Sequence, residues 1–117
     1  LGMVLKSFLL HEEIEIKTLD SVFDDLNGPD AKILLKVDTQ GFEKSVLNGA
    51  ASSLAKISVI ELELSLVPLY ENGNLYTEMI EYLDDKGFDL YSFEEVFADH
   101  KTGRLLQFDG IFVNRNK

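Results

Sequence analysis

Hydrophobic and polar residues follow two periodicities along this chain, and these periodicities predict strands and helices in succession. Strict alternation over residues 13–17 predicts a strand with one solvent-facing side. Residues 33–37 are apolar except for one lysine, which predicts a strand covered on both faces. A second apolar strand is predicted over 57–66, a segment rich in Val, Ile and Leu that Glu61 and Glu63 interrupt.

Helical spacing separates these strands. Apolar residues three or four positions apart predict a short helix that either Thr18 or Asp20 can cap. A second stripe predicts a helix between the two apolar strands, and a third predicts a helix that ends at Gly87. Two strands joined by such a helix form a right-handed, parallel βαβ unit. The second stripe comprises Phe42, Val46, Leu47, Ala50 and Leu54, and the third comprises Leu75, Met79, Ile80 and Leu83.

The carboxyl-terminal part of the chain predicts two more strands, at 88–93 and 106–113. Residues 99–104 between them read Asp-His-Lys-Thr-Gly-Arg, which is a turn sequence, so we expect the two strands to pair antiparallel. Strands that alternate with helices predict an α/β fold, and the length predicts a single domain over 1–117.

The composition narrows the classes of function. A formal net charge of −10 argues against a nucleic-acid partner, because phosphate binding needs clustered Lys and Arg. The absence of cysteine excludes disulfides and thiolate metal sites, and it fits a reducing compartment. No apolar run approaches the roughly 18 residues of a membrane span, and the amino-terminal segment is too short and poorly flanked for a signal peptide. We therefore expect a cytoplasmic protein without a membrane partner.

Asp38 is the first candidate for chemistry, because it follows an apolar strand and precedes a tight turn at Gly41. In open α/β sheets, ligands bind beyond the carboxyl ends of parallel strands. Acid-Thr-x-Gly after a strand also resembles the Mg²⁺-side motif of P-loop nucleotide hydrolases, but the chain has no phosphate loop ending in Gly-Lys-Ser/Thr. The structural alternative is that Asp38 caps the following helix, with Glu43 favourably placed at the helix amino end.

Two further acids lie on the second apolar strand. Glu61 and Glu63 share one face, where a charge is costly unless it is paired or lies at a rim. Glu63 is nearer the carboxyl end, so we expect it beside Asp38, where two carboxylates can act as an acid/base pair or bind a hard cation. The alternative is that both glutamates reach solvent or pair with Lys36, and for Glu61 we favour that alternative.

Several motifs occur together in an order that resembles the FkbM-type methyltransferases. Each motif is weak alone, but the ordered set is specific and covers about residues 13–115. The resemblance implies a class I, Rossmann-like methyltransferase that uses S-adenosylmethionine, with O-methylation as its reaction. The matching segments are 17–20 (KTLD), 35–43 (LKVDTQGFE), 46–50 (VLNGA), 60–65 (IELELS), 68–70 (PLY), 87–88 (GF) and 105–113 (LLQFDGIFV).

The resemblance also implies which part of the domain is present. It makes 33–37 and 57–65 the fourth and fifth strands of the family's sheet, and 88–93 and 106–113 the sixth and seventh. The seventh is expected to insert antiparallel between the fifth and sixth, with helices on both faces. The glycine-rich turn after the family's first strand, and the ribose-holding acid after its second, have no match here. We therefore expect a carboxyl-terminal half that is inactive alone and binds the cofactor weakly or not at all.

The resemblance implies roles for particular residues. Asp38 is expected to act as a catalytic base or cofactor contact, with Glu63 as its catalytic neighbour. The acceptor is expected to be a small-molecule or sugar hydroxyl, and Mg²⁺ held by Asp38 and Glu63 is a less favoured variant. The cofactor-binding candidates are Asp38, Gln40 and Gly41, and the substrate-binding candidates are Tyr70 and, if its turn folds over the rim, His100.

A non-catalytic function is the competing interpretation. A half-sheet would leave the apolar strand at 33–37 on an open edge, and such an edge favours pairing with another chain. On that interpretation the chain is an α/β interaction or dimerisation module derived from a methyltransferase, and it forms a homodimer through the exposed edge.

Overall fold

A computed structural model describes residues 3–6, 13–71 and 73–117. No helix in these ranges is long and apolar enough to cross a membrane. In chain order the elements are β1 (Met3–Lys6), β2 (Glu13–Ile16), α1 (Leu19–Leu26), β3 (Leu34–Val37), α2 (Glu43–Asn48), a 3₁₀ helix (Leu54–Lys56), β4 (Val59–Ser65), α3 (Tyr76–Asp85), β5 (Phe88–Ala98) and β6 (Leu105–Asn114).

The main sheet is mixed, with the strand order β3-β4-β6-β5. β3 and β4 are parallel neighbours connected through α2, which confirms the predicted parallel pair. β6 lies between β4 and β5 and is antiparallel to both, so the last strand takes the expected inserted position. β1 and β2 form a separate two-stranded antiparallel sheet. The chain is therefore a small α/β fold with a mixed sheet.

The two faces of the main sheet differ. Side chains alternate between faces along each strand, and every second position of β4 is buried. We call this side the core face, and the side with Glu61, Glu63 and Asp109 the acidic face. The positions of β4 and β6 around these three acids are only partly buried, apart from Gln107, which is buried. The core face is built by Val37, Ile60, Leu62, Leu64, Phe108 and Phe112, which cluster with Phe23 of α1, Leu47 of α2, and Met79 and Leu83 of α3.

The buried residues of all three helices join this one cluster, so the expected covering of both faces by helices is not found in the described residues. β3 is likewise covered on one face only. Its Leu34 is 61% exposed, because β3 is an edge strand of the main sheet and its second face has no covering layer there. The prediction that residues 33–37 are covered on both sides is therefore wrong.

The helix between β3 and β4 is shorter than its apolar stripe predicts. α2 ends at Asn48, a turn follows from Gly49, and Leu54 is buried from a 3₁₀ helix. Phe42 is 68% exposed and does not belong to the buried stripe. Glycine in a helix interior costs about 1 kcal/mol relative to alanine, which favours an end at Gly49.

Both residues considered as caps for α1 have a role. The Thr18 Oγ1 accepts a hydrogen bond from the Ser21 N–H at 3.2 Å, so Thr18 is the cap. The Asp20 carboxylate instead accepts from the Ser53 Oγ at 2.6 Å, the Ser53 N–H at 2.8 Å and the Ser52 N–H at 2.9 Å. These bonds lower the pKa of Asp20, and they fix α1 to the turn before β4.

Candidate functional site

The turn after β3 is held in an uncommon backbone conformation. Gln40 has a φ of 51° and Gly41 a φ of 107°, which favours glycine at the second position. A Cβ atom on Gly41 would lie 2.8 Å from the Cβ of Tyr70, so the turn and the following loop are in close contact. The Glu43 carboxylate accepts from the Gly41 N–H at 2.8 Å and from the Thr39 Oγ1 at 3.2 Å. Glu43 therefore organises the turn from the first turn of α2.

Asp38 is exposed where β3 ends, and it does not cap the next helix. The residue at the cap position of α2 is Phe42, without a side-chain hydrogen bond, so the capping alternative is wrong. Val37 is in register with Leu62, which puts Asp38 level with Glu63 on the neighbouring strand. The charge of Asp38 contributes to raising the pKa of Glu63. The two acids therefore interact at the carboxyl ends of parallel strands, as the sequence predicts.

Glu63 is the more perturbed of the two carboxyl groups. Partial burial raises its pKa most, and the negative charges of Asp38, Asp109 and Glu43 raise it further. A hydrogen bond of 2.7 Å from the Gln107 Nε2 to the Glu63 Oε1 works in the opposite direction, because it stabilises the ionised form. A carboxyl group whose pKa is raised towards the working pH is better suited to exchange a proton with a bound ligand.

Glu61 has a structural partner instead. The Lys36 Nζ lies 3.3 Å from the Glu61 Oε2, and the two residues are directly opposite on β3 and β4. The pairing with Lys36 that the sequence left open is therefore confirmed, and Glu61 is not needed to explain the site.

The loop after β4 closes over the end of the sheet. Together with the turn it encloses a cavity of about 10 Å³, which holds about one water molecule. Pockets that enclose a drug-sized ligand measure roughly 300–1,000 Å³. The described residues thus form the floor of a site rather than a complete pocket. Gly41, Glu43, Glu63, Ser65, Tyr70 and Asn74 are among the lining residues, whereas Asp38, Gln40 and His100 are not.

A comparison with known protein families finds a match that includes the turn after β3 and the loop after β4. A family model described as the methyltransferase FkbM domain matches residues 7–90, which is more than half of the chain. The chain belongs to the FkbM methyltransferase family. The matched range of the FkbM domain includes the Gly41 turn, the Asp38–Glu63 pair and the Tyr70 loop. A comparison with curated proteins and one with solved structures found no match.

Gln107 is a residue of the site that sequence reasoning missed. It is buried, it donates to Glu63, and its Nε2 lies 3.4 Å from the Tyr70 Oη. Gln107 lies beyond the matched range of the FkbM domain. The sequence does show that Gln107 and Asp109 are alternate polar residues in an otherwise apolar strand. The contact of Gln107 with Glu63, however, depends on the order of the strands in the sheet.

His100 and the metal variant receive no geometric support. The turn with His100 lies at the same end of the sheet as the FkbM-domain site, since β6 begins beside the end of β4. His100 is nevertheless exposed and outside the cavity lining. Within the described ranges, no group of three or more His, Cys, Asp and Glu side chains is placed to hold a metal ion.

Proposed function

We propose that this chain is the carboxyl-terminal part of a class I, S-adenosylmethionine-dependent O-methyltransferase, and that Asp38 and Glu63 form the proton-accepting side of its acceptor site. Membership of the FkbM family supports methyl transfer. The observation that carries the site is the interaction of the two carboxylates at the carboxyl ends of parallel β3 and β4. An antiparallel strand inserted beside β4 also matches the strand order that the resemblance implies.

The described residues fit one end of the cofactor. Asp38 has an exposed carboxylate that can attract its cationic groups, and Gln40 and Gly41 form the adjoining turn. When bound, S-adenosylmethionine would supply an activated methyl group on a sulfonium. The enclosed cavity beside this turn measures only about 10 Å³ and is lined by neither Asp38 nor Gln40, which supports a cofactor site whose other walls come from residues other than those described. Calorimetry on this chain should therefore detect weak binding or none, and low-micromolar affinity would contradict the proposal.

The residues of the chain would then work on the acceptor. A neutral hydroxyl is a poor nucleophile, and a nearby carboxylate that accepts its proton makes the oxygen reactive. Glu63 would take that proton, with Asp38 beside it, while Gln107 orients the Glu63 carboxylate through the 2.7 Å bond. Tyr70 would form a wall against which the acceptor is positioned.

Isosteric variants test this assignment. Transfer of a radiolabelled methyl group to a panel of sugar and polyol hydroxyls is measured with the longest natural polypeptide that contains this chain. Asp38→Asn and Glu63→Gln should each lower the rate by about 100-fold or more. Glu61→Gln is the matched control, since it makes the same change on the same face at a residue paired with Lys36. Equal losses in all three variants would contradict the proposal, and unchanged activity in EDTA would remove the Mg²⁺ variant.

The non-catalytic alternative has one observation in its favour. Leu34 is largely exposed on β3, and no described strand pairs with the outer edge of β3. An apolar, unpaired edge can pair with a second copy. Analytical ultracentrifugation decides this point: a dimer that Leu34→Lys converts to a monomer would favour the dimerisation module, and a monomer at all concentrations would exclude it.

A further inference from the structure

The opposite edge of the main sheet carries an unusual concentration of exposed apolar surface. Of the nine large hydrophobic residues found exposed in the described ranges, five lie on β5. β5 is 11 residues long, and in the described structure β6 is the one strand that pairs with it. Edge strands are usually protected by charged residues, proline or β-bulges. β5 contains no lysine or proline, and its pairing with β6 shifts register after Leu90 and after Glu95. The five residues are Leu90, Tyr91, Phe93, Val96 and Phe97.

A groove runs beside this edge. It measures about 520 Å³ and lies between α3 and β5, with Ile80, Phe88 and Leu90 as its apolar lining. Three acids also line it, Glu81, Asp84 and Asp89, and no basic residue does. Further along, β5 carries Glu94 and Glu95, and no Lys or Arg occurs between 87 and 100. The edge is thus both apolar and acidic.

The charged residues on and beside β5 indicate what kind of partner can pair with this edge. Arg115 already pairs with Asp84 and Asp89. Within the described residues no ion pair involves Glu81, Glu94 or Glu95. Antiparallel pairing of β5 with a second copy would bring the Glu94 and Glu95 of the two copies close together. Like charges across a strand pair are destabilising, so the edge is poorly suited to its own copy.

We propose that β5 and the adjoining groove bind an extended basic segment of another protein, which adds to the main sheet as a further strand. Its backbone would pair with the outer edge of β5. Its side chains would alternate between the two faces of the sheet. Apolar residues would cover Leu90 and Phe93 on the core face, and lysine or arginine residues would face Glu94 on the acidic face. This surface lies on a different strand from the Asp38–Glu63 pair, so the proposal does not depend on methyl transfer.

A blocked Lys-Val-Lys-Val-Lys-Val-Lys peptide is the probe, and its binding to ¹⁵N-labelled protein is followed by NMR. We expect shift changes in the amides of residues 89–98 and slowed amide exchange on the outer edge of β5. Glu94→Lys with Glu95→Lys should weaken binding by about tenfold. Asp25→Lys with Asp30→Lys is the matched control, because it changes the net charge equally at exposed positions of α1 and the loop after it.

Two further measurements distinguish strand addition from non-specific electrostatic binding. A peptide N-methylated at every residue keeps the charges but has no backbone N–H to donate to β5, so it should lose most of the binding. The proposal is overturned if the N-methylated peptide binds equally well, if the Asp25/Asp30 variant loses as much affinity as the Glu94/Glu95 variant, or if the peptide does not bind. Sedimentation of the unmodified protein as a β5-paired dimer would identify a second copy as the occupant and would likewise overturn it.

Discussion

The core face and the acidic face of β4 are built from alternate residues of a single seven-residue strand, yet they differ in almost every physical respect. Ile60, Leu62 and Leu64 are at most 1% exposed. Between them, Glu61 and Glu63 are partly exposed, and Glu63 lies directly opposite Asp109. Like charges in that position oppose folding. The comparison indicates that one face supplies stability, and that the other tolerates unfavourable charges where the proposed chemistry takes place.

The largest expected effect comes from breaking the core face. Leu62→Ala removes a fully buried side chain, and it should lower the free energy of unfolding by about 2–5 kcal/mol. Urea denaturation followed by circular dichroism measures the change. Leu34→Ala makes the same substitution at a position that is 61% exposed, and it should cost far less, within about 0.5 kcal/mol. Similar losses in both variants would show that the exposed side of β3 contributes to stability as the core does.

On the acidic face, a substitution should raise the free energy of unfolding instead of lowering it. Glu63→Gln removes one negative charge from the acidic face. The new amide oxygen can still accept the hydrogen bond from Gln107. We expect the free energy of unfolding near neutral pH to rise by up to about 1 kcal/mol. Asp38→Asn is the partner measurement, because it removes a charge that acts on Glu63 without removing a hydrogen bond found in the structure. A clear loss of stability in Glu63→Gln would mean that the ionised carboxylate holds this face together.

The pH dependence follows from the same groups. The pKa values of Glu63 and Asp109 are raised by folding, first through partial burial and then through neighbouring charges. The folded state therefore retains protons that the unfolded state has lost, and stability falls as pH rises above the unfolded values of 4.5 and 3.8. Asp20 behaves oppositely: its pKa is lowered, so its contribution is lost as pH falls below 3.8. Glu63→Gln should flatten the decline above pH 4.5, and an unchanged slope would contradict this assignment.

The smallest expected effect belongs to the charge pair beside the site. Lys36→Met breaks the contact with Glu61, and the pair is solvent-exposed on the lysine side. Exposed pairs contribute about 0–1 kcal/mol, so the change in unfolding free energy should stay below about 1 kcal/mol. It should shrink further in high salt, because added ions screen exposed charges. A larger, salt-independent loss would place this pair among the structural determinants of the sheet.

The elements whose pattern depends on the local chain alone were predictable from sequence. The strand at β4 and the helix end at Gly87 are local signals, and the structure confirms them. Of the two caps that the sequence left open for α1, Thr18 is the one used. Leu34 and Phe42 were mispredicted as buried, because an apolar residue at a sheet edge or helix start has the same sequence signature as one in the core.

The candidate site was predictable to the extent that it depends on parallel neighbours. Asp38 and Glu63 follow from two consecutive strands, so their proximity could be expected. Gln107 reaches Glu63 from 44 positions further along the chain, and nothing local indicates that contact. Asp20 is one of the two residues that the sequence offers as a helix cap, but its carboxylate binds the backbone of residues 52 and 53, and that contact depends on how α1 docks.

The contact between Gly41 and Tyr70 has a consequence for the two loops that meet there. A Cβ at Gly73 would also meet Tyr70, at 3.3 Å from its carbonyl oxygen and 3.4 Å from its Cβ. The tyrosine therefore lies between two glycines, of which Gly41 leaves no room for a side chain and Gly73 leaves little. A side chain at position 41 would therefore displace either Tyr70 or the turn that follows Asp38, so the two loops at this end of the sheet are coupled through one contact.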